Sequence, residues 1–298
     1  MSQIKNIPAI DPSKDPLSPE FWRNYFTDTQ GGLSLKDAME TCICEEAALD
    51  YDELERCSHF MSEVNAVLDD LNRVGVLSRE NTILHIGCGT GTFAIRMAPV
   101  CQKVICVDDS ERNLKRLKEK IQVMGLETNV EVQKVDWASY KPDKQYDVVF
   151  AFNSPILRSI EGIDSLLASA KKYLAVVYWA GIRRNPLLIE LFKEIMDFDY
   201  KPATPDIVTI FNYLYSLGYA ADLKFFRGCW KRTKDVNAQV ENLIWRLESR
   251  RKLTDEEKEL VRKKAQSLAE NGKLTLLTQV RIGYMLLDVM ADKKSPCE

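Results

Sequence analysis

The stretch Thr82-Ile-Leu-His-Ile-Gly-Cys-Gly-Thr-Gly-Thr92 decides how the rest of the chain is read. Its first five residues are a short apolar run rich in β-branched side chains, the pattern of a strand buried in a sheet. Gly87, Gly89 and Gly91 then interrupt it, and Thr92–Ala98 resumes with helical spacing. Glycines suit such a junction because the chain must turn sharply and let a ligand approach the backbone with no Cβ in the way. The helix that follows is expected to present free N–H groups and the positive end of its dipole. A phosphate, a carboxylate or a ribose would suit that geometry.

Spacing separates these ligands. The dinucleotide fingerprint runs G-x-G-x-x-G, whereas here the glycines fall as G-x-G-x-G with Thr92 in the third position of that fingerprint. The next apolar run, Lys103–Val107, leads into Asp108 and Asp109, which lie 19 and 20 residues beyond Gly89. A carboxylate at that strand end accepts hydrogen bonds from both ribose hydroxyls and repels a 2′-phosphate. The glycine spacing argues against an NAD-dependent dehydrogenase. Asp108 also reads as a helix N-cap, although Ser110 is better suited to that position.

Working outward, short apolar runs alternate with amphipathic ones. Glu111–Met124 is expected as a helix closed by Gly125, Val130–Val135 and Tyr146–Phe152 as strands, Ile163–Lys171 as a helix and Leu174–Trp179 as a fifth strand. That alternation predicts an α/β fold, a doubly wound, mostly parallel sheet covered on both faces. Upstream, residues 1–17 read as an extended arm and residues 18–75 as a helical cap. Ser18-Pro19-Glu20 marks a helix start, and Phe21, Trp22, Tyr25 and Phe26 form one aromatic face. Downstream, Asn185–Met196 and Pro205–Leu217 read as helices. Leu223–Trp230 and Leu274–Leu287 read as two late strands with a helical insertion between them. The parts divide as a core over 76–230, the insertion over 231–273, and a final strand and tail over 274–298, all within one domain.

The runs LHIGCGTG, VICVDDS, VEVQKVDW and YDVVFAFNSPIL resemble the successive motifs of class I S-adenosylmethionine-dependent methyltransferases. The resemblance covers about residues 81–180 and implies a Rossmann-like, seven-stranded sheet with a reversed last strand. It places Gly87, Gly89 and Gly91, with His85 and Cys88 beside them, under the methionine part of the cofactor. Asp108 is implied to hold the ribose, Asp136 to face the adenine amino group, and Trp137 or Asp109 to lie beside the ring. Asn153 is implied to line the place where cofactor and acceptor meet, with S-adenosylhomocysteine as the product. Two departures stand out. The family usually has an acidic residue where this chain has His85, which also reads as a hydrogen-bonded core histidine and supports a non-catalytic cofactor-binding sensor or scaffold as the alternative. Asn153-Ser-Pro-Ile156 only half matches the N-P-P-aromatic motif of enzymes that methylate amino groups in nucleic acids and proteins. Asp136 also reads as the start of a turn.

Net charge of −3 at 298 residues lacks the basic balance of a protein that lives on phosphate backbones, so no nucleic-acid partner is expected. The N-terminus has no apolar run of the kind a signal peptide needs, and no apolar stretch is long enough for a membrane span. A cytoplasmic protein is expected, monomer or homodimer. Its eight cysteines then read mostly as buried thiols. Cys42, Cys44, Cys57 and His59 gather soft ligands in 18 residues, but two cysteines two apart on a helix point to different faces, so no metal is expected. The only histidines are His59 and His85, and no motif marks either as a catalytic base. The acceptor is expected to be a small molecule. Trp22, Tyr25 and Trp179 are candidates to enclose it, though Trp22 and Tyr25 read more readily as core packing.

Overall fold

The structure is a computed structural model and describes residues 11–29, 52–136, 139–199, 205–248 and 251–293. Seven strands form a single sheet: β1 (Thr82–Ile86), β2 (Lys103–Asp108), β3 (Val130–Lys134), β4 (Tyr146–Phe152), β5 (Ala170–Arg184), β6 (Asp222–Asp235) and β7 (Lys273–Asp288). Their order is β3-β2-β1-β4-β5-β7-β6. The first five strands run parallel, and β7 lies antiparallel between β5 and β6. The expected doubly wound sheet with a reversed last strand is therefore what the chain forms.

Alternation along the strands sorts the core into two faces. Ile83, Val104, Phe150 and Val177 point to one face, where α2 (Ser58–Arg73), α3 (Ala94–Met97) and α4 (Glu111–Met124) cover them. Leu84, Ile105, Val149 and Val176 point to the other, covered by α1 (Pro19–Thr29), α5 (Ile160–Ser169) and α7 (Ile207–Ser216). Burial on both faces explains why these strands read as unbroken apolar runs. A smaller cluster joins α6 (Pro186–Met196), α8 (Val236–Glu248) and α9 (Asp255–Ser267) to Leu274 and Leu276 of β7. A last helical turn, α10 (Val289–Lys293), follows β7.

Local chemistry sets the element ends. In α4, Ser110 Oγ accepts the Asn113 N–H at 3.3 Å, and Gly125 closes the helix at φ 65°. Between them Leu114, Leu117 and Ile121 are buried, as their spacing predicts. Thr254 and Glu257 form a capping box at the start of α9, as Asp206 and Thr209 do for α7.

Three expectations shift. The helix after the glycine loop is four residues long, because Pro99 has no N–H to continue it. The helix expected at Ile163–Lys171 starts earlier, where Ser159 accepts the Gly162 N–H at 3.0 Å, and Ala170 already pairs with Tyr146 in the sheet. Strands β5, β6 and β7 run longer than their apolar residues suggested. Polar residues 231–235 stay extended because the ladder to β7 satisfies their backbone. These extensions carry a β-wall past the C-terminal ends of the parallel strands, where open α/β sheets bind ligands.

Candidate active site

The glycine loop leaves β1 with Gly87, Gly89 and Gly91 at φ of 68°, 54° and 93°, a region that disfavours any side chain. The Gly87 and Cys88 N–H groups both donate to Val107 O, at 3.0 and 3.1 Å, which pins the start of the turn to β2. A Cβ on Gly87 would lie 2.8 Å from Ser154 Cβ and 3.1 Å from Phe152 O, so the loop also abuts the end of β4. Cys88 is buried, and desolvation holds its thiol protonated.

Asp108 ends β2 and is buried. Its Oδ2 accepts the Gly89 N–H at 2.9 Å and its Oδ1 accepts the Ser110 N–H at 3.0 Å, with Asn113 Nδ2 at 3.4 Å. Burial pushes the carboxyl up to about 6, against the pull of those donors. Asp109 follows, half-buried. Asn153 leaves β4 at φ 44°, and neither polar atom of its buried side chain has a partner among the described residues. A strained backbone and an orphaned amide at one position are costly and recur at binding sites.

The remaining expected residues spread differently. Asp136 is exposed and starts a turn, its main-chain oxygen accepting from Ser139 N at 3.1 Å and Tyr140 N at 2.8 Å. Trp137 lies outside the described residues, as do Cys42 and Cys44. Cys57 and His59 both meet Cys229 O, and no metal-binding group is found among the described residues. His85 is fully buried, its ring edge-on to Phe93 and Phe150 with centroids 6.3 and 5.0 Å away. Desolvation depresses it to about 3, so the ring is neutral, and neither nitrogen has a partner among the described residues. The hydrogen-bonded core histidine that the sequence suggested is thus a core histidine without the hydrogen bond.

The aromatic candidates separate too. Phe26 of α1 is buried against Tyr213, on the sheet face opposite α2, and Trp22 donates to Pro16 O at 2.8 Å. Trp22 and Tyr25 therefore accompany a helix packed on the other side of the sheet. Trp179 instead meets Trp230 of β6 at 5.3 Å with the rings tilted by 54°, and Arg183 lies over its ring at 4.5 Å.

Trp230 leads to a group the sequence reading missed. Its Nε1 donates to Glu63 Oε2 at 3.0 Å, while Glu63 Oε1 is buried with no partner among the described residues. Burial pushes Glu63 up to about 7. The local signal was a carboxylate at residue 63 inside the apolar stripe Phe60, Val64, Val67, Leu71 of α2.

A family model described as a methyltransferase domain matches residues 83–176, the span from β1 to β5. The chain is thus similar to methyltransferase domains over that span. Its sheet order and single reversed strand agree with that assignment. An uncharacterised protein of Haemophilus influenzae is 31% identical over 181 residues, covering 58% of this chain and 65% of its own length. The chain thus spans about 65% of that curated relative. Among solved structures, YcgJ from Bacillus subtilis is 15% identical and covers 75% of this chain and 98% of its own, with a TM-score of 0.46. Magnesium protoporphyrin IX methyltransferase from Synechocystis, with S-adenosylhomocysteine bound, is 18% identical and covers 69% and 92%, also with a TM-score of 0.46.

The residues of this span fit the adenosyl cofactor that the sequence resemblance implies. Among the described residues a Cβ on Gly89 would meet nothing within 4 Å, so the loop leaves an open cradle that a side chain would fill. The orphaned amide of Asn153 offers both a donor and an acceptor at the neighbouring strand end.

Proposed function

We propose that the protein transfers a methyl group from S-adenosylmethionine to a small-molecule acceptor. The observation that supports this most is Asp108, buried at the end of β2 and bonded to Gly89 N–H within a loop of left-handed glycines. Gly87, Gly89 and Gly91 would hold the methionine part, Asp108 the ribose, and Asn153 the junction with the acceptor. Asp136, exposed at a turn, and the neighbouring Asp109 would meet the adenine side.

S-adenosylmethionine supplies an already activated sulfonium methyl when bound. The protein's task is then to orient the acceptor and exclude water, and orientation of that kind lowers a barrier by roughly 7–11 kcal/mol. The apolar wall of Phe93, Phe152 and Val177 beside the β4 end would exclude water. His85 takes no part in proton transfer, being buried and neutral. Among the described residues no helix is long and apolar enough to cross a membrane.

A second reading rests on His85. Its ring is sealed among aromatics and offers nothing to the cofactor's ammonium group, which favours a binder that senses the cofactor without turnover. Thermal unfolding with S-adenosylmethionine, S-adenosylhomocysteine and NAD tests the binding. A ligand at about a hundred times its Kd stabilises by roughly 2.7 kcal/mol, a midpoint rise of about 5–10 °C at this size. A rise with both adenosyl compounds and none with NAD is expected; a rise with NAD alone overturns the proposal. Methyl transfer across an acceptor panel favours the enzyme, and binding without any transfer favours the sensor.

A further inference from the structure

Strand β5 is irregular just past the level of the candidate site. Trp179 pairs with Ile282 of β7 and the next pair is Ile182 with Arg281, so Ala180 and Gly181 bulge out of the ladder. Gly181 has a φ of 72°, the left-handed backbone such a bulge uses. Because of the bulge, Trp179 and Arg183 stand opposite Ile282 and Val280, which are neighbours on one face of β7. The Arg183 guanidinium is thereby brought over the Trp179 ring, 4.5 Å from its centroid. Bulges recur beside active sites, where they re-aim a side chain.

The re-aimed arginine faces the proposed site. Val280 and Ile282 belong to the core under α2, so Trp179 and Arg183 share the sheet face of Phe93 and Phe152. The Asn153 N–H donates to Val177 O at 3.0 Å. Trp179 is the next residue of β5 on that face, about 7 Å further along the strand. Beyond it, Leu274 and Leu276 of β7 lie under α6, α8 and α9. Arg183 and Trp179 therefore stand where the cover of the sheet passes from α2 to those helices. Asn185, the N-cap of α6, reaches Thr278 there at 3.4 Å, which brings the positive end of that helix to the same place.

Arg183 is half-buried, and it pairs with no carboxylate among the described residues. Arg23, Arg116 and Arg251, by contrast, each hold an acid. A guanidinium laid on an indole face is partly desolvated, and its planar fork matches a carboxylate through two parallel hydrogen bonds. One guanidinium balances one negative charge, which fits a carboxylate better than a phosphate of charge ~−1.5 to −2. Arg184, Arg227 and Arg281 alternate to the opposite face of the sheet and do not share this position.

We propose that Arg183, held over Trp179 by the bulge, is a subsite for the acceptor of the proposed methyl transfer, and that the acceptor carries a carboxylate bound by the guanidinium. This rests on the methyltransferase reading and adds a substrate class to it. A carboxylate anchored there fixes one end of the acceptor and orients the rest toward the end of β4.

The test is calorimetry on the full chain saturated with S-adenosylhomocysteine, using benzoate and phenylacetate with benzamide and phenylacetamide as uncharged counterparts of like shape. At least one carboxylate is expected to bind and its amide to bind at least tenfold more weakly. Arg183→Gln is expected to lose that preference while S-adenosylhomocysteine binds as before. In the wild type the bound carboxylate should also change the tryptophan emission, because Trp179 lies under the guanidinium, a result that needs no variant. Carboxylate and amide binding alike, no carboxylate binding, an unchanged preference in Arg183→Gln, or unchanged emission would each overturn the proposal. Failure of the wild type to bind S-adenosylhomocysteine would instead sink the methyltransferase reading itself.

Discussion

Asp108 Oδ2 accepts the main-chain N–H of Gly89 at 2.9 Å, so the acid at the end of β2 also fastens the glycine loop that leaves β1. Its other oxygen holds Ser110 N–H, the N-cap of α4. One side chain thereby ties a strand end, a loop and a helix start into a single unit. Under the proposed function, binding and folding would be coupled at this residue.

Replacing Asp108 by Asn keeps the shape and removes one acceptor, so the Gly89 and Ser110 N–H groups cannot both be satisfied. An unpaired buried donor costs ~1–3 kcal/mol. Asp108→Asn is expected to unfold at correspondingly lower urea concentration and to bind S-adenosylhomocysteine at least tenfold more weakly. Unchanged affinity by calorimetry would remove Asp108 from the cofactor site.

Two glycines of the loop should respond differently to the same substitution. At Gly87 a Cβ would press on Ser154 Cβ at 2.8 Å and on backbone at 3.1 and 3.2 Å, so Gly87→Ala is expected to cost ~2–4 kcal/mol of stability. At Gly89 among the described residues there is nothing within 4 Å, and only the left-handed φ of 54° opposes a side chain. Gly89→Ala should cost ~1–2 kcal/mol, yet lose more affinity for S-adenosylhomocysteine than that stability change implies. Equal losses of affinity and stability at Gly89 would show that the cradle does not hold the cofactor.

Buried His85 and Glu63 push the pH dependence of stability in opposite directions. His85 falls from 6.5 to about 3, so its contribution is complete above 6.5 and is lost as pH drops towards 3. Glu63 rises from 4.5 to about 7, so its contribution is complete below 4.5 and is lost as pH climbs through 7. Between pH 4.5 and 6.5 the two nearly cancel. His85→Leu should make stability fall more steeply with pH in that window, by ~1.4 kcal/mol per pH unit relative to wild type. Glu63→Gln should change the slope by a similar amount in the opposite sense. Urea titrations at four pH values measure both, and parallel profiles would refute the assigned shifts.

The sequence made most of the parallel core legible, and the reason is visible in its strands. β1 and β4 have the boundaries their apolar runs predict because both faces of those strands are buried. Ser110 and Gly125 fixed α4 in the same way. The extensions of β5 and β6 were hidden, because residues such as 231–235 are extended through pairing with β7 and carry no apolar signature. At the site, Gly87, Gly89, Gly91, Asp108 and Asn153 are gathered by local motif, and their positions follow from strand ends. Glu63 and Trp230 stand 167 residues apart, and only the packing of α2 on β6 brings them together. No spacing rule could read that contact.

Asn153 offers a test in which stability and binding part company. Its φ of 44° strains any side chain, and both polar atoms of its amide are buried without a partner among the described residues. Asn153→Gly relaxes the backbone by ~1 kcal/mol and removes the orphaned amide, worth a further ~1–3 kcal/mol. Against this stands a cost of ~0.4–1 kcal/mol from the freer unfolded chain. The variant is expected to be more stable than the wild type, by ~1–3.5 kcal/mol from that sum. Affinity for S-adenosylhomocysteine should fall at least tenfold, because the proposed site has that amide meet the ligand. Asn153→Ala, which keeps the strain and loses the amide, should show the same loss of affinity with a smaller gain in stability. A loss of stability in both variants with unchanged affinity would make Asn153 part of the scaffold and leave the end of β4 without a binding group.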